Sequence, residues 1–472
     1  MNRTKIICTI GPASRDPKIL RALMDAGMNV CRLNFSHGTQ DEHAALIKDI
    51  RRVATEAKRH VAILQDLAGP KIRTGPVACG AITLKEGAAF RLTNRDVPGD
   101  AVEVGLTYPE LPGTVEAGDT LMLADGLMEL VVESTDGTDV DCRVVMGGEL
   151  GSHKGINLPG RSLKAPILSA KDRSDLEFGL AQDVDYIALS FVRGAADVAA
   201  VNEIIAAAGK DTPVIAKIEK FEALDHIDEI IAAAGGIMVA RGDLGVEIPI
   251  AQIAIVQKQL IWKANRLGKP VITATQMLES MTTNRRPTRA EATDVANAVL
   301  DGTDAVMLSG ESAMGQFPVD AAEMLATIAA NIEPLRTVFP VREELSASDR
   351  DKDVSLPDLI ARSVVTTSQR ITPAAVIVPT HSGTTARRIT RFRLPVWITA
   401  VSSYEKTCQD LLFSYGVFPV CEPEHPTDWR SWIRNWLKVQ ELSGELVVMT
   451  EGPSRKHPER NNRMEIVDLK KS

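Results

Sequence analysis

Eight short apolar runs separated by helical patterns constrain this chain more than any other feature of its sequence. They are TKIICTIG (4–11), MNVCRLNFS (28–36), VAILQDLAG (61–69), YIALSFV (186–192), PVIAKIE (213–219), GGIMVARGD (235–243), KPVITATQM (269–277) and TDAVMLSGE (303–311). Their central residues are apolar without alternation, as in strands buried on both faces of a parallel sheet. Between most of them apolar residues recur at helical spacing, as in DEHAALIKDIRRVATEAK and IAQIAIVQKQLIWKANRLG. Strand then helix, eight times, predicts an α/β fold of the (β/α)8 TIM-barrel type. An open doubly wound sheet is the alternative, disfavoured by the count of eight.

One gap breaks the rhythm. After the third run come about a hundred residues of short strands and Gly, Pro and Asp turns, such as AAFRLTN, DTLMLAD and LMELVVES. This predicts a β-barrel-like domain inserted at the barrel end where active sites lie, placed to act as a lid. A chain of 472 residues exceeds one ordinary core. We therefore expect barrel at 1–72, the inserted lid domain at 73–165, barrel again at 166–335 and a C-terminal α/β domain at 350–472, after a polar linker. No internal repeat is present.

A net charge of −8 argues against a general nucleic-acid or membrane-surface binder. The opening MNRTKIICTIGPAS enters a strand pattern at once, so no signal peptide is expected. The six cysteines are scattered without a C-x-x-C pair, which suggests reduced thiols in a cytoplasmic protein.

The runs end in residues that a core would reject. The second ends in Arg32, Asn34 and Ser36, the third in Asp66 with Lys71 and Arg73 beyond. The fifth carries Lys217 and Glu219, the sixth Arg241 and Asp243, the seventh Thr275 and Gln276, the eighth Ser309 and Glu311. A barrel converges those ends on one point, so together they form a candidate site. Glu219 and Asp243 are hard oxygen donors with no His or Cys nearby in sequence, which suits Mg²⁺ or Mn²⁺ rather than zinc. Lys217, Arg32 and Arg73 would gather negative charge, as phosphoryl transfer requires. The plainer reading of Lys217 and Glu219 is an ion pair inside the barrel.

Long stretches of the chain resemble the pyruvate kinase family. They include TKIICTIGPAS, GMNVCRLNFSHG, DLAGPKIRTG, KGINLPG, DVDYIALSFVR, IAKIEK, IMVARGDLGVEIP, KPVITATQMLESM, PTRAEATDVANAVLDGTDAVMLSGESAMGQFP and HSGTTARRITRFR. The resemblance implies a homotetrameric, allosteric phosphotransferase of glycolysis that moves the phosphoryl group of phosphoenolpyruvate to ADP, giving ATP and pyruvate. It implies that Glu219 and Asp243 bind the metal, and that Gly242, Asp243 and Thr275 hold the substrate carboxylate. By the same pattern Arg32 binds the phosphoryl group and Lys217 offsets its charge in transfer. Asn34, Phe35, Ser36, His37 and Arg73 would face the nucleotide, with Lys171 a further candidate. Protonation of the enolate would use a water relay near Thr275, supported by Ser309 and Glu311.

Two departures from the family pattern stand out. Many relatives carry Glu where this chain has Lys71, and use K⁺ at positions matching Asn34, Ser36, Asp66 and the residue-67 carbonyl. Lys71 would supply that positive charge, so activity without K⁺ is expected. In the C-terminal domain Thr380, Ser382, Gly383, Thr384 and Thr385 lie between a strand and a helix start. They suit a phosphorylated effector or plain helix capping. The later loop TEGPSRKHPERNNRMEIV differs from the family's Gly-rich form, and its Arg455, Lys456 and Arg460 read as phosphate contacts or a solvated charge run. Trp429, Trp432 and Trp436 share a helical face and read first as core. Rival functions are a non-catalytic sensor of phosphorylated metabolites and a metal-dependent lyase.

Overall fold

The computed structural model describes residues 2–161, 166–336, 354–424, 426–453 and 461–471. Eight parallel strands close a barrel: β1 (Lys5–Thr9), β2 (Met28–Asn34), β3 (Ala62–Asp66), β4 (Tyr186–Leu189), β5 (Val214–Ile218), β6 (Gly236–Ala240), β7 (Val271–Ala274) and β8 (Ala305–Leu308). Their order round the barrel is β1-β8-β7-β6-β5-β4-β3-β2, as the eight apolar runs predict. Helices cover the outside, and several start on a side-chain cap. Thr39, Ser169 and Thr288 each bond the third backbone N–H of their helix while the acidic residue there bonds back. Such reciprocal capping satisfies N–H groups that a helix start otherwise leaves open.

Alternate strand residues divide between two cores. Ile6, Cys8, Ile63, Leu189 and Ile218 face the helices. Ile7, Leu64, Tyr186, Ile215, Met238 and Met307 fill the interior. The N-terminal end of the barrel is closed from outside the barrel sequence: Leu412 and Phe413 join the interior cluster. The Phe413 ring lies 4.0 Å from that of Tyr186, and burying each such side chain contributes about 1.5–3 kcal/mol. The same junction holds a buried Arg393–Asp304 pair at 2.5 Å.

Between β3 and β4 the inserted domain forms a six-stranded sheet and a two-stranded pair around its own apolar core. The C-terminal domain has β9 (Ala375–Pro379), β10 (Trp397–Ser402), β11 (Val417–Cys421), β12 (Leu446–Glu451) and β13 (Arg463–Asp468), in the order β11-β10-β9-β12-β13. Trp429, Trp432 and Trp436 pack against one face of this sheet, in a cluster with Ile433 and Phe418. Among the described residues no helix is long and apolar enough to cross a membrane.

The strands are shorter than the apolar runs. β6 ends at Ala240 and a helix, Arg241–Glu247, begins at once; β7 ends before Thr275. Arg241, Asp243, Thr275, Gln276, Ser309 and Glu311 therefore stand on the short helices and turns beyond the strands rather than on the strands. Thr275 and Gln276 have φ of +68° and +54°. Left-handed backbone cannot continue a strand, and in a β-branched residue such as Thr275 it is strained.

Candidate active site

Alternating charges run across the C-terminal mouth of the barrel. Arg32 on β2 donates through Nε to Asp66 Oδ2 at 2.6 Å and through an Nη to the Thr9 hydroxyl at 2.9 Å. The other Asp66 oxygen faces Lys217 Nζ at 3.2 Å. Lys217 in turn stands 2.9 Å from Glu219 Oε1 and donates to Ser190 Oγ at 2.7 Å. The second Glu219 oxygen accepts the Phe191 N–H at 2.8 Å.

Electrostatics follow from this order. Burial works against the charge on Lys217, but Asp66 and Glu219 overcome it and raise its pKa above the lysine range. Burial also opposes the Asp66 charge, yet Lys217 and Arg32 hold its pKa below the usual value. Glu219 goes the other way: burial, with Asp243 adding to it, outweighs Lys217 and pushes its carboxyl up. That residual repulsion between Glu219 and Asp243 is what a cation between them would relieve.

Asp243 sits in the first turn of the Arg241–Glu247 helix. The Gly242 N–H just before it donates to the Thr275 hydroxyl at 2.8 Å. Arg241 braces that corner, donating to the Ala274 carbonyl at 3.2 Å, the Thr275 carbonyl at 2.6 Å and Asp294 at 2.8 Å. Lys71 reaches Asp243 Oδ1 at 3.0 Å and, in the inserted domain, Asp125 Oδ1 at 3.2 Å. Its ammonium thus bridges the barrel carboxylate of Asp243 and the lid carboxylate of Asp125. The chain leaves β3 toward the inserted domain, and two carboxylates await it there. Against burial, Asp243 and Asp125 raise the Lys71 pKa.

Among the described residues no group of three or more His, Cys, Asp or Glu surrounds a common point. Two carboxylates alone suit Mg²⁺ or Mn²⁺, which keep several positions for water and substrate oxygens. The donor set therefore fits such an ion.

Comparison with known proteins decides the family. Residues 1–322 match the family model described as pyruvate kinase, barrel domain, and residues 358–467 match pyruvate kinase, alpha/beta domain. A pyruvate kinase of Thermococcus litoralis is 47% identical over 425 residues, covering 90% of each chain. One of Geobacillus stearothermophilus is 45% identical over 457 residues, 95% of this chain and 77% of the relative. The chain belongs to the pyruvate kinase family. The fold agrees: the crystal structure of a pyruvate kinase from Cryptosporidium parvum superposes with a TM-score of 0.91 at 37% identity, covering 99% of this chain and 96% of that one.

Other residues singled out as pyruvate kinase site positions lie around this mouth or away from it. Asn34 ends β2, and its side-chain oxygen accepts the Ser36 N–H at 3.1 Å. The Phe35 ring is buried and stacked 4.0 Å from the ring of His43, so only the Phe35 backbone can meet a ligand. Its carbonyl already accepts from Lys171 at 2.7 Å. The His37 carbonyl pairs with His43 Nε2 at 2.9 Å, while Arg73 donates to the His153 carbonyl at 3.2 Å within the inserted domain. Glu311 is buried and accepts the backbone N–H groups of Leu278 and Ser309, which is bracing of the loop rather than a free proton carrier. In the C-terminal domain the Gly383 N–H is taken by Thr380 Oγ1 at 2.9 Å, and Ser382 pairs with Thr384 at 2.9 Å. Arg455, Lys456 and Arg460 lie outside the described residues.

Sequence reasoning missed Thr9, Ser190 and Asp125. Hydroxyls at strand ends carry no signal of their own, and Asp125 is brought in by a separate domain.

Proposed function

We propose that this mouth transfers the phosphoryl group of phosphoenolpyruvate to ADP, forming pyruvate and ATP, with Mg²⁺ or Mn²⁺ held by Glu219 and Asp243. The observation that carries the reading is Lys217, kept charged between Asp66 and Glu219 at the centre of a barrel mouth. Both substrates are polyanions, so fixed cations must suppress their repulsion before alignment can help. The bound divalent ion supplies further charge neutralisation and a template for substrate oxygens.

Arg32, aimed by Asp66 and Thr9, binds the phosphoryl group, and Lys217 stabilises charge on it as it passes between oxygens. The Thr275 hydroxyl and the backbone at Gly242 and Asp243 take the substrate carboxylate, which replaces the bond they now share. A water beside Thr275 delivers the proton to the enolate carbon. Asn34, the Phe35 backbone, Ser36, His37 and Arg73 meet the nucleotide. The inserted segment 73–165 serves as the lid between barrel parts 1–72 and 166–335, and 350–472 is the regulatory domain.

Lys71 offers a permanent charge between lid and barrel, so we read the enzyme as independent of K⁺. The exposed hydroxyls of the Thr380–Thr385 loop suit a phosphorylated effector, in a cytoplasmic homotetramer as in the family. A coupled assay for pyruvate tests the core reading. Pyruvate should form from phosphoenolpyruvate only with ADP and Mg²⁺ both present; formation without ADP would refute it.

A further inference from the structure

Lys220 and Glu247 form a second ion pair at the barrel mouth, behind the residues described above. Lys220 Nζ stands 2.6 Å from Glu247 Oε1, and their side chains are 8% and 0% exposed. A buried pair is weak evidence for stability, because desolvating two charges consumes most of what their attraction returns. Apolar side chains would pack these two elements at less cost. What a short, buried, charged contact does provide is a fixed distance.

The elements it fixes are the two that carry the proposed metal carboxylates. Lys220 follows Glu219 directly in the chain. Glu247 lies four residues beyond Asp243 on one helix, hence on the same helical face. Lys220 and Glu247 therefore tie the end of β5 to the far turn of the helix that presents Asp243.

The inserted domain docks on that helix at three places. Asp125 meets it through Lys71 and Asp243. Gly126 lies alongside it, where an added Cβ would be in ordinary contact 3.5 Å from the Val246 side chain. Asn157, 4% exposed, donates to Glu247 Oε1 at 3.4 Å. This last contact is under-bonded: Glu247 Oε2 and Asn157 Oδ1 are both buried without a hydrogen-bond partner. Such a contact is weak enough for the lid to leave while the Lys220–Glu247 pair stays formed.

We infer that Lys220 and Glu247 are positioning residues that set the separation of Glu219 and Asp243 for the divalent ion, and that Asn157 links lid closure to that separation. The inference rests on the metal assignment above. It assigns no role to the pair in the transfer itself.

Binding of Mn²⁺ alone to the full-length, metal-free enzyme, followed by the paramagnetic signal of the free ion, tests it without turnover. Glu247→Gln keeps the volume and removes the charge, and is expected to weaken Mn²⁺ binding by about 10–100-fold, the usual effect of losing a group that orients metal ligands. Lys220→Met alone strands a buried carboxylate and could fail to fold, so it is paired with the double variant Lys220→Met/Glu247→Leu. The double variant is expected to recover thermal stability but not Mn²⁺ affinity. Recovery of both, or an unchanged affinity in Glu247→Gln, would overturn the inference. Asn157→Ala should leave Mn²⁺ affinity within about twofold in free enzyme and lower it about fivefold or more once phosphoenolpyruvate is bound; no difference between the two conditions would remove Asn157. Asp243→Asn separates the two readings. Its loss of Mn²⁺ binding beside an unaffected Glu247→Gln defeats the positioning role alone, whereas retained binding in Asp243→Asn defeats the metal assignment and this inference with it.

Discussion

The Lys71 ammonium lies 3.0 Å from a carboxylate oxygen of Asp243, and the lid residue Asp125 holds it from the other side at 3.2 Å. Reversing that charge sets three carboxylates against one another. Lys71→Glu is expected to lower turnover at least tenfold without a small monovalent cation, about 1.4 kcal/mol, and to regain activity when K⁺ is added. The wild-type enzyme should work equally well with K⁺ or a large organic cation. Failure of the wild type in the organic cation would refute the substitution of Lys71 for K⁺.

Lys217 is bound to both Asp66 and Glu219. Lys217→Met should reduce kcat by about 10²–10³-fold, the scale for removing one aligned electrostatic donor. Phosphoenolpyruvate binding, followed by equilibrium dialysis, should change far less. Near-normal turnover would take Lys217 out of the mechanism.

Arg241 holds the carbonyls of Ala274 and Thr275 while Thr275 keeps a φ of +68°. Lys in its place cannot span both carbonyls and Asp294 with one planar fork. Arg241→Lys should let Thr275 relax and lower kcat by about 10²-fold, the scale of a small misplacement, with the barrel still folded by circular dichroism. A variant with normal kcat would show that the strained corner is not needed.

Lys5 is wholly buried at the barrel floor, with its ammonium bonded to the Val417 carbonyl at 2.6 Å. Burial brings its pKa down to about 8, against the opposing pull of Glu333 and Asp304. The folded protein therefore sheds this proton at lower pH than the unfolded chain. Folding carries a penalty below pH 8 that disappears as pH rises toward 10.5, the ordinary value for a lysine. In urea melts the wild type should gain stability relative to Lys5→Met across that window, by up to about 3 kcal/mol. Parallel pH profiles would contradict the depressed pKa.

Much of this architecture was legible because the barrel needs strands apolar on both faces, and runs such as VAILQ and YIAL can be little else. The site was legible for a related reason: Lys217, Glu219 and Arg32 are charges placed where a strand should be greasy. Pairing was not. Nothing in the sequence tells Lys71 to pair with Asp243 and Asp125, because that choice depends on where a domain folded from other residues comes to rest. Lys220 and Glu247, 27 residues apart in the chain, each look like ordinary surface charges until β6 and its helix bring them together. Phe35 shows the opposite error: it sits among polar site residues in sequence, yet its ring is spent on the core.

Phe413 and Leu412 plug the lower end of the barrel from a different domain. A fragment lacking the C-terminal domain would open the lower end of this interior cluster to water, beginning at the Tyr186 ring, like a cask with its base knocked out. The catalytic half of this chain is therefore not a portable module. Inheritance, truncation or grafting must carry the stopper along with the vessel.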